Sequence, residues 1–120
     1  DGIALPHSKS SSLNTSGVNI QVSVDKIFVD DKEVLNSEMM PDKIYDQDGR
    51  RIVNLYNELV AVKERIKQTE KASPDAVKFS GIANLVLDKT LKYSYVRRIM
   101  FTCAEAGFKE YKFVVRKLEE

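Results

Sequence analysis

One histidine and one cysteine, His7 and Cys103, are all that the chain offers toward a Ser–His, Cys–His or thiol-redox centre. His7 lies among Ser8, Lys9, Ser10, Ser11 and Ser12, a stretch too poor in apolar side chains to hold a base in place. Cys103 falls on the apolar stripe of a helical pattern, where a cysteine acts as a small buried hydrophobe with a raised pKa. No nucleophile is paired with a base, so no catalytic residue is assigned and the chain is expected not to be an enzyme.

The acidic residues Asp42, Asp46 and Asp48 precede Gly49, and hard cations do take several oxygens from one short loop. Their spacing lacks the glycine at the sixth position and the closing glutamate of an EF-hand, so they read as a solvated acidic loop with no metal. Gly81 and Gly107 stand alone, which leaves no phosphate-cradling loop and no expected cofactor. Arg50 and Arg51 are the only candidates for the anion site of an acylphosphatase-like hydrolase, the alternative that a small α/β sandwich leaves open. Lysine and arginine number 19 against 18 acidic residues. That balance supplies no footprint for a phosphate backbone, and no nucleic acid is expected as a partner.

These side chains need elements to position them, and 120 residues suffice for one domain with one core. Residues 1–17 are expected to be a flexible linker and residues 18–118 the domain. The sequence starts at Asp1 with no initiator Met and no basic-then-apolar leader, so a soluble piece of a longer chain is expected. Val18, Ile20, Val22 and Val24 alternate with polar residues and predict a strand over 18–24. Ile27, Phe28 and Val29 predict a second strand that ends in a turn at Asp30-Asp31-Lys32, making a hairpin. Residues 35–49 show no sustained period and read as a long connection.

From Arg50 the pattern becomes helical. Ile52, Leu55, Tyr56, Leu59, Val62 and Ile66 form one stripe, and Ser73-Pro74 ends the helix near Lys71. Residues 82–87 are a compact apolar run containing Asn84, read as a third strand. A second amphipathic helix spans 93–106 through Val96, Ile99, Met100 and Cys103, with Gly107 as its left-handed cap and Phe108 as the contact behind it. Tyr111, Phe113 and Val115 alternate in a fourth strand. The predicted fold is α+β, a two-layer sandwich of order β-β-α-β-α-β with both helices on one face of a mixed sheet. At about 100° per residue, Phe101 lies roughly 140° from Val96 and off the main stripe, flanked by Arg97 and Arg98. It packs under the first helix or a loop, or meets a partner.

Residues 85–108 carry a more specific combination. A strand ends in Asp88, Tyr93 follows five residues later, an apolar helix runs through Val96 and Met100, and Ala106-Gly107-Phe108 closes it. This block resembles the periplasmic domain of the ExbD/TolR family of biopolymer transport proteins, with Ser94 where the family commonly has glycine. Residues 20–34 resemble the family's opening hairpin without its usual Asp-Gly turn, and Ile3-Ala4-Leu5-Pro6 resembles the apolar segment after its transmembrane helix. The connection at 35–49 is longer than the family's.

The resemblance implies a single-pass protein of the Gram-negative inner membrane, with this domain in the periplasm and a transmembrane helix outside the given sequence. Family members act as homodimers inside an ExbB/TolQ-type channel. They couple the proton motive force to outer-membrane transport through TonB, or to envelope maintenance through TolA-like proteins or peptidoglycan. Leu5 and Pro6 would begin the tether. Asp88, Tyr93, Arg97, Phe101, Tyr111 and Phe113 are the candidate partner-binding residues, and capture of a peptide is expected on a strand edge, either 111–116 or 18–24.

Overall fold

The computed structural model describes residues 17–38 and 44–118. Leu5, Pro6, His7 and Asp42 therefore lie outside the described residues, as does nearly all of the expected linker.

The elements follow as β1 (Val18–Val22), β2 (Lys26–Val29), β3 (Lys32–Asn36), α1 (Val53–Ala72), β4 (Ile82–Asp88), α2 (Tyr93–Glu105) and β5 (Glu110–Arg116). They form one five-stranded sheet in the order β3-β2-β1-β4-β5. The β1–β2 and β2–β3 pairs are antiparallel, whereas β1–β4 and β4–β5 are parallel. Each parallel step needs a crossover, and the two helices supply them. The sheet is thus mixed because hairpins build one half and helical crossovers the other.

Alternation sorts the side chains. Val18, Ile20 and Val22 on β1, Ile27 and Val29 on β2, and Ala83, Leu85 and Leu87 on β4 join one buried cluster with Leu55, Leu59 and Val62 of α1 and Ile99 and Cys103 of α2. Both helices therefore cover the same face of the sheet. Full burial of an aliphatic side chain of this size is worth about 1.5–3 kcal/mol, so this shared face carries most of the stabilisation.

Two expectations need correction. The first strand stops at Val22, because Ser23 closes a tight turn: its N–H donates to the Lys26 carbonyl (2.9 Å) and its hydroxyl accepts from the Lys26 N–H (3.1 Å). Val24 is left 55% exposed. The second correction is a strand that periodicity did not predict. Asp30 and Asp31 adopt left-handed φ values of 47° and 78°. Two successive residues of that kind make the tight turn whose twist suits a hairpin, and aspartate tolerates the conformation better than most residues. The chain reverses into β3, so the order is β-β-β-α-β-α-β, and Leu35 and Asn36 belong to a strand rather than to the long connection. Lys32 and Glu33 are exposed and only Leu35 is fully buried, which hides the period of two. Lys32 pairs with Glu58 at 2.9 Å and helps hold this edge against α1.

The predicted end of the second helix holds in detail. The Gly107 N–H donates to Ala104 O (3.0 Å) and the Phe108 N–H to Cys103 O (2.8 Å), the paired bonds of a Schellman cap. Gly107 has φ +104°, and a Cβ there would sit 2.8 Å from the Lys63 ammonium nitrogen. Phe108 is buried and meets Phe79 edge-on at 5.2 Å.

Candidate functional site

Helix α2 leaves the end of β4 and returns to the start of β5, so it runs antiparallel to both strands. Its first turn lies toward Asp88 and Arg116, and its last toward Glu110. Asp88 is buried, and its carboxylate accepts from both the backbone N–H and the hydroxyl of Thr90 at 2.9 Å. Such an aspartate turn sets the angle at which the chain enters the helix. Both bonds hold the buried side chain in that turn.

On one flank α2 faces β5. Tyr111, Phe113 and Val115 are in register with Ala83, Leu85 and Leu87, so they point to the helix side of the sheet. Tyr111 reaches α2, donating its hydroxyl to Met100 O at 3.0 Å, and burial followed by the nearby Cys103 thiol raises its pKa. Its ring lies 6.0 Å from that of Phe113. Further along, the helix no longer covers the strand: Phe113 is 48% and Val115 60% exposed. Tyr93, in the first turn of α2, is 74% exposed at the same end of the sheet. Among the described residues nothing pairs with the outer edge of β5. By contrast β1 is paired on both sides, so residues 18–24, the other expected docking edge, have no edge to offer.

The opposite flank of α2 faces the start of α1. Thr102 is buried between them, accepting the Ile52 N–H at 3.0 Å and donating to Arg98 O at 2.8 Å. Tyr45 forms a single antiparallel bridge with Ile52, which brings the preceding loop alongside. Arg50 stacks on Phe101 (4.6 Å), Arg98 on Tyr45 (4.8 Å) and Arg97 on Tyr93 (5.7 Å). Phe101 is half-buried under Arg50, which explains why an aromatic residue sits off the main stripe. Two hollows open here. One of about 520 Å³ is walled by Tyr45, Tyr95, Leu91 and Arg98; the other, about 290 Å³, by Arg50, Arg97, Arg98 and Phe101. Burial, then the neighbouring Tyr45, push the Tyr95 hydroxyl up to about 12.

Arg51 does not join this group. It pairs with Glu105 at 2.6 Å and lies over the Tyr56 ring at 4.0 Å. The backbone amides of Arg50 and Arg51, which a phosphate site would need, point at Asp46 Oδ1 at 3.2 and 3.3 Å. Desolvation pushes the Asp46 carboxyl up, but these amides and the Arg51 charge outweigh it and hold it below the ordinary carboxylate range. Cys103 is enclosed in the core, and burial pushes its thiol up to about 12. Among the described residues there is no group of three or more metal-ligating His, Cys, Asp or Glu side chains.

The predicted site residues thus fall into separate places. Phe101 and Arg97 meet on the α1 flank, Tyr111 and Phe113 on the β5 flank, Tyr93 at the crest between them, and Asp88 beneath. Arg98, Tyr45 and Tyr95 were not predicted as site residues, and Arg50 was considered only for the anion site of the alternative hydrolase. The Arg50-Arg51 and Arg97-Arg98 pairs were their only trace in the sequence, and pairs of that kind ordinarily mark a solvated face.

Compared with protein-family models, with curated proteins and with solved structures, the chain finds no match. Among the described residues no helix is long and apolar enough to cross a membrane.

Proposed function

We propose that this is an ExbD/TolR-like binding domain, which captures an extended segment of a partner along the outer edge of β5. The observation that carries the reading is the state of that edge. β5 is a seven-residue strand in unbroken register with β4, ending the sheet with its outer N–H and C=O groups unpaired among the described residues. Phe113 and Val115 stand exposed beside it. An added strand would gain main-chain hydrogen bonds from the edge and specificity from these side chains. The other edge, β3, is protected by Lys32 and Glu33, by a register shift at Ile27/Phe28 and by the Lys32–Glu58 pair.

In this reading the domain works in the periplasm, joined through residues 1–17 to a transmembrane helix that meets an ExbB/TolQ-like channel subunit. The channel's use of the proton motive force would be delivered through a TonB- or TolA-like protein or peptidoglycan, with two copies of the domain acting together. What supports it is the block of Asp88, Tyr93 and Ala106-Gly107-Phe108 together with a β5 edge suited to peptide capture.

An NMR titration with a TonB-like linker peptide and with peptidoglycan fragments tests the proposal. Shifts concentrated on the amides of residues 110–116, lost in Phe113→Ser, are the expected result. No shift with either ligand at millimolar concentration would sink the binding reading.

A further inference from the structure

The α1 flank of α2 carries an arrangement that the β5 reading leaves unused. Its two hollows share Ser94 and Arg98, so they lie side by side along a groove around the first turns of the helix. Arg50, Lys92, Arg97 and Arg98 line it, and among the described residues no carboxylate pairs with any of them. Among the described residues the acid in the wall is Asp25, which accepts a hydrogen bond from the Ser23 hydroxyl at 3.1 Å.

Of these cations Lys92 stands at the start of α2 and Arg97 and Arg98 in its second turn; Lys92 provides no side-chain cap bond and the first turn holds no acid. The start of a helix is its positive end, so cations there are mildly unfavourable. Among the described residues no carboxylate offsets them, whereas an anion in the groove would meet these side chains near the positive end of the helix. The guanidinium groups of Arg50, Arg97 and Arg98 each lie over an aromatic ring, which limits their rotamers while leaving their edges open for carboxylates. The larger hollow adds an apolar contribution from Val24, Leu35, Ile44 and Leu91 beside Tyr45 and Tyr95.

From this geometry we infer that the groove is a second docking site, for an acidic peptide segment of a partner protein that inserts one apolar or aromatic side chain between Tyr45 and Tyr95. Charge complementarity selects carboxylates, and the concavity favours a peptide over a flat anionic surface. The site does not depend on the β5 edge, which lies on the other flank of the helix.

The full chain can be tested by fluorescence anisotropy. The probe is a short labelled peptide of Glu and Asp around one central Phe, compared with the same peptide carrying Gln and Asn. The acidic peptide should bind, more weakly as salt rises, and the neutral one should not. Arg50→Gln and Arg98→Gln should each weaken binding roughly tenfold, the scale of one charge-assisted hydrogen bond. Arg98→Lys, which keeps the charge, should recover part of the loss, and Phe113→Ser should change nothing. Equal binding of the acidic and neutral peptides would overturn the inference, as would unchanged binding by both Gln variants. It would also fall if vesicles rich in anionic phospholipid bound through the same arginines while the acidic peptide did not.

Discussion

The two flanks of α2 use one helix in opposite ways. Toward β5 the helix stops short of the strand and leaves Phe113 and Val115 exposed beside an unpaired edge. Toward α1 it is tied down by Thr102, and the surface above carries stacked arginines around a concave groove. The first flank offers main-chain hydrogen bonds and apolar area, the second charge and shape. A near-neutral net charge is therefore compatible with a strongly basic patch, because charges distribute by element and not by the chain average.

Substitutions that act on one flank alone separate the two. The largest effect is expected from Thr102→Val, which removes the acceptor for the buried Ile52 N–H while keeping the side-chain volume. Leaving that donor unsatisfied costs about 1–3 kcal/mol. Urea denaturation should show the loss, and hydrogen exchange should quicken around residues 50–53 while β5 stays protected. Equal loosening of β5 would mean that the flanks are not separable.

Tyr111→Phe probes the other side. Losing the bond to Met100 O should cost about 1 kcal/mol, read as a lowered denaturation midpoint with faster exchange in β5. The arginine groove should still bind the acidic probe as before.

The smallest effect concerns pH. Asp46 holds the turn before α1, and its folded pKa lies below the ordinary value. A carboxyl of this kind contributes stability that is present above its unfolded pKa and is lost as pH falls through the folded one. Wild type should thus lose stability relative to Asp46→Asn as the solution is acidified below pH of about 4, with the Arg50 region affected first. Thermal melts of both proteins across that range check this; parallel curves would show that the turn is held by other bonds.

Much of the framework was readable from the residues. The stripe from Ile52 to Ile66 is long enough that no other arrangement buries it, so α1 was legible, although the pattern placed its start at Arg50 and the helix begins at Val53. The Gly107-Phe108 cap was equally plain, because few residues but glycine accept that conformation. The strand β3 was not, since Lys32-Glu33-Val34-Leu35-Asn36 buries one side chain fully and its pairing comes from the reversal at Asp30-Asp31. Of the candidate site, Phe113 and Tyr111 were placed correctly on one strand face. Arg98 was missed, and Arg50 was considered only for a different anion site, because separate arginine pairs become one site only when the helices bring them to one place.

By itself the sequence determined what depends on local period and backbone preference: the amphipathic helices, the caps, the turns and the identity of the core-facing side chains. Tertiary structure alone decided which strand is central and which is an edge. That choice depends on pairing between segments far apart in the chain: β1 is enclosed on both sides and β5 is open on one, a difference that the charges of Glu110, Lys112 and Arg116 only hint at. It also decided that Arg50, Arg97 and Arg98 share a groove, because long-range packing through Thr102 sets the distance between α1 and α2. The Asp88-to-Phe108 stretch, the most distinctive in the sequence, thus supplies residues to both flanks, while the fold separates their roles.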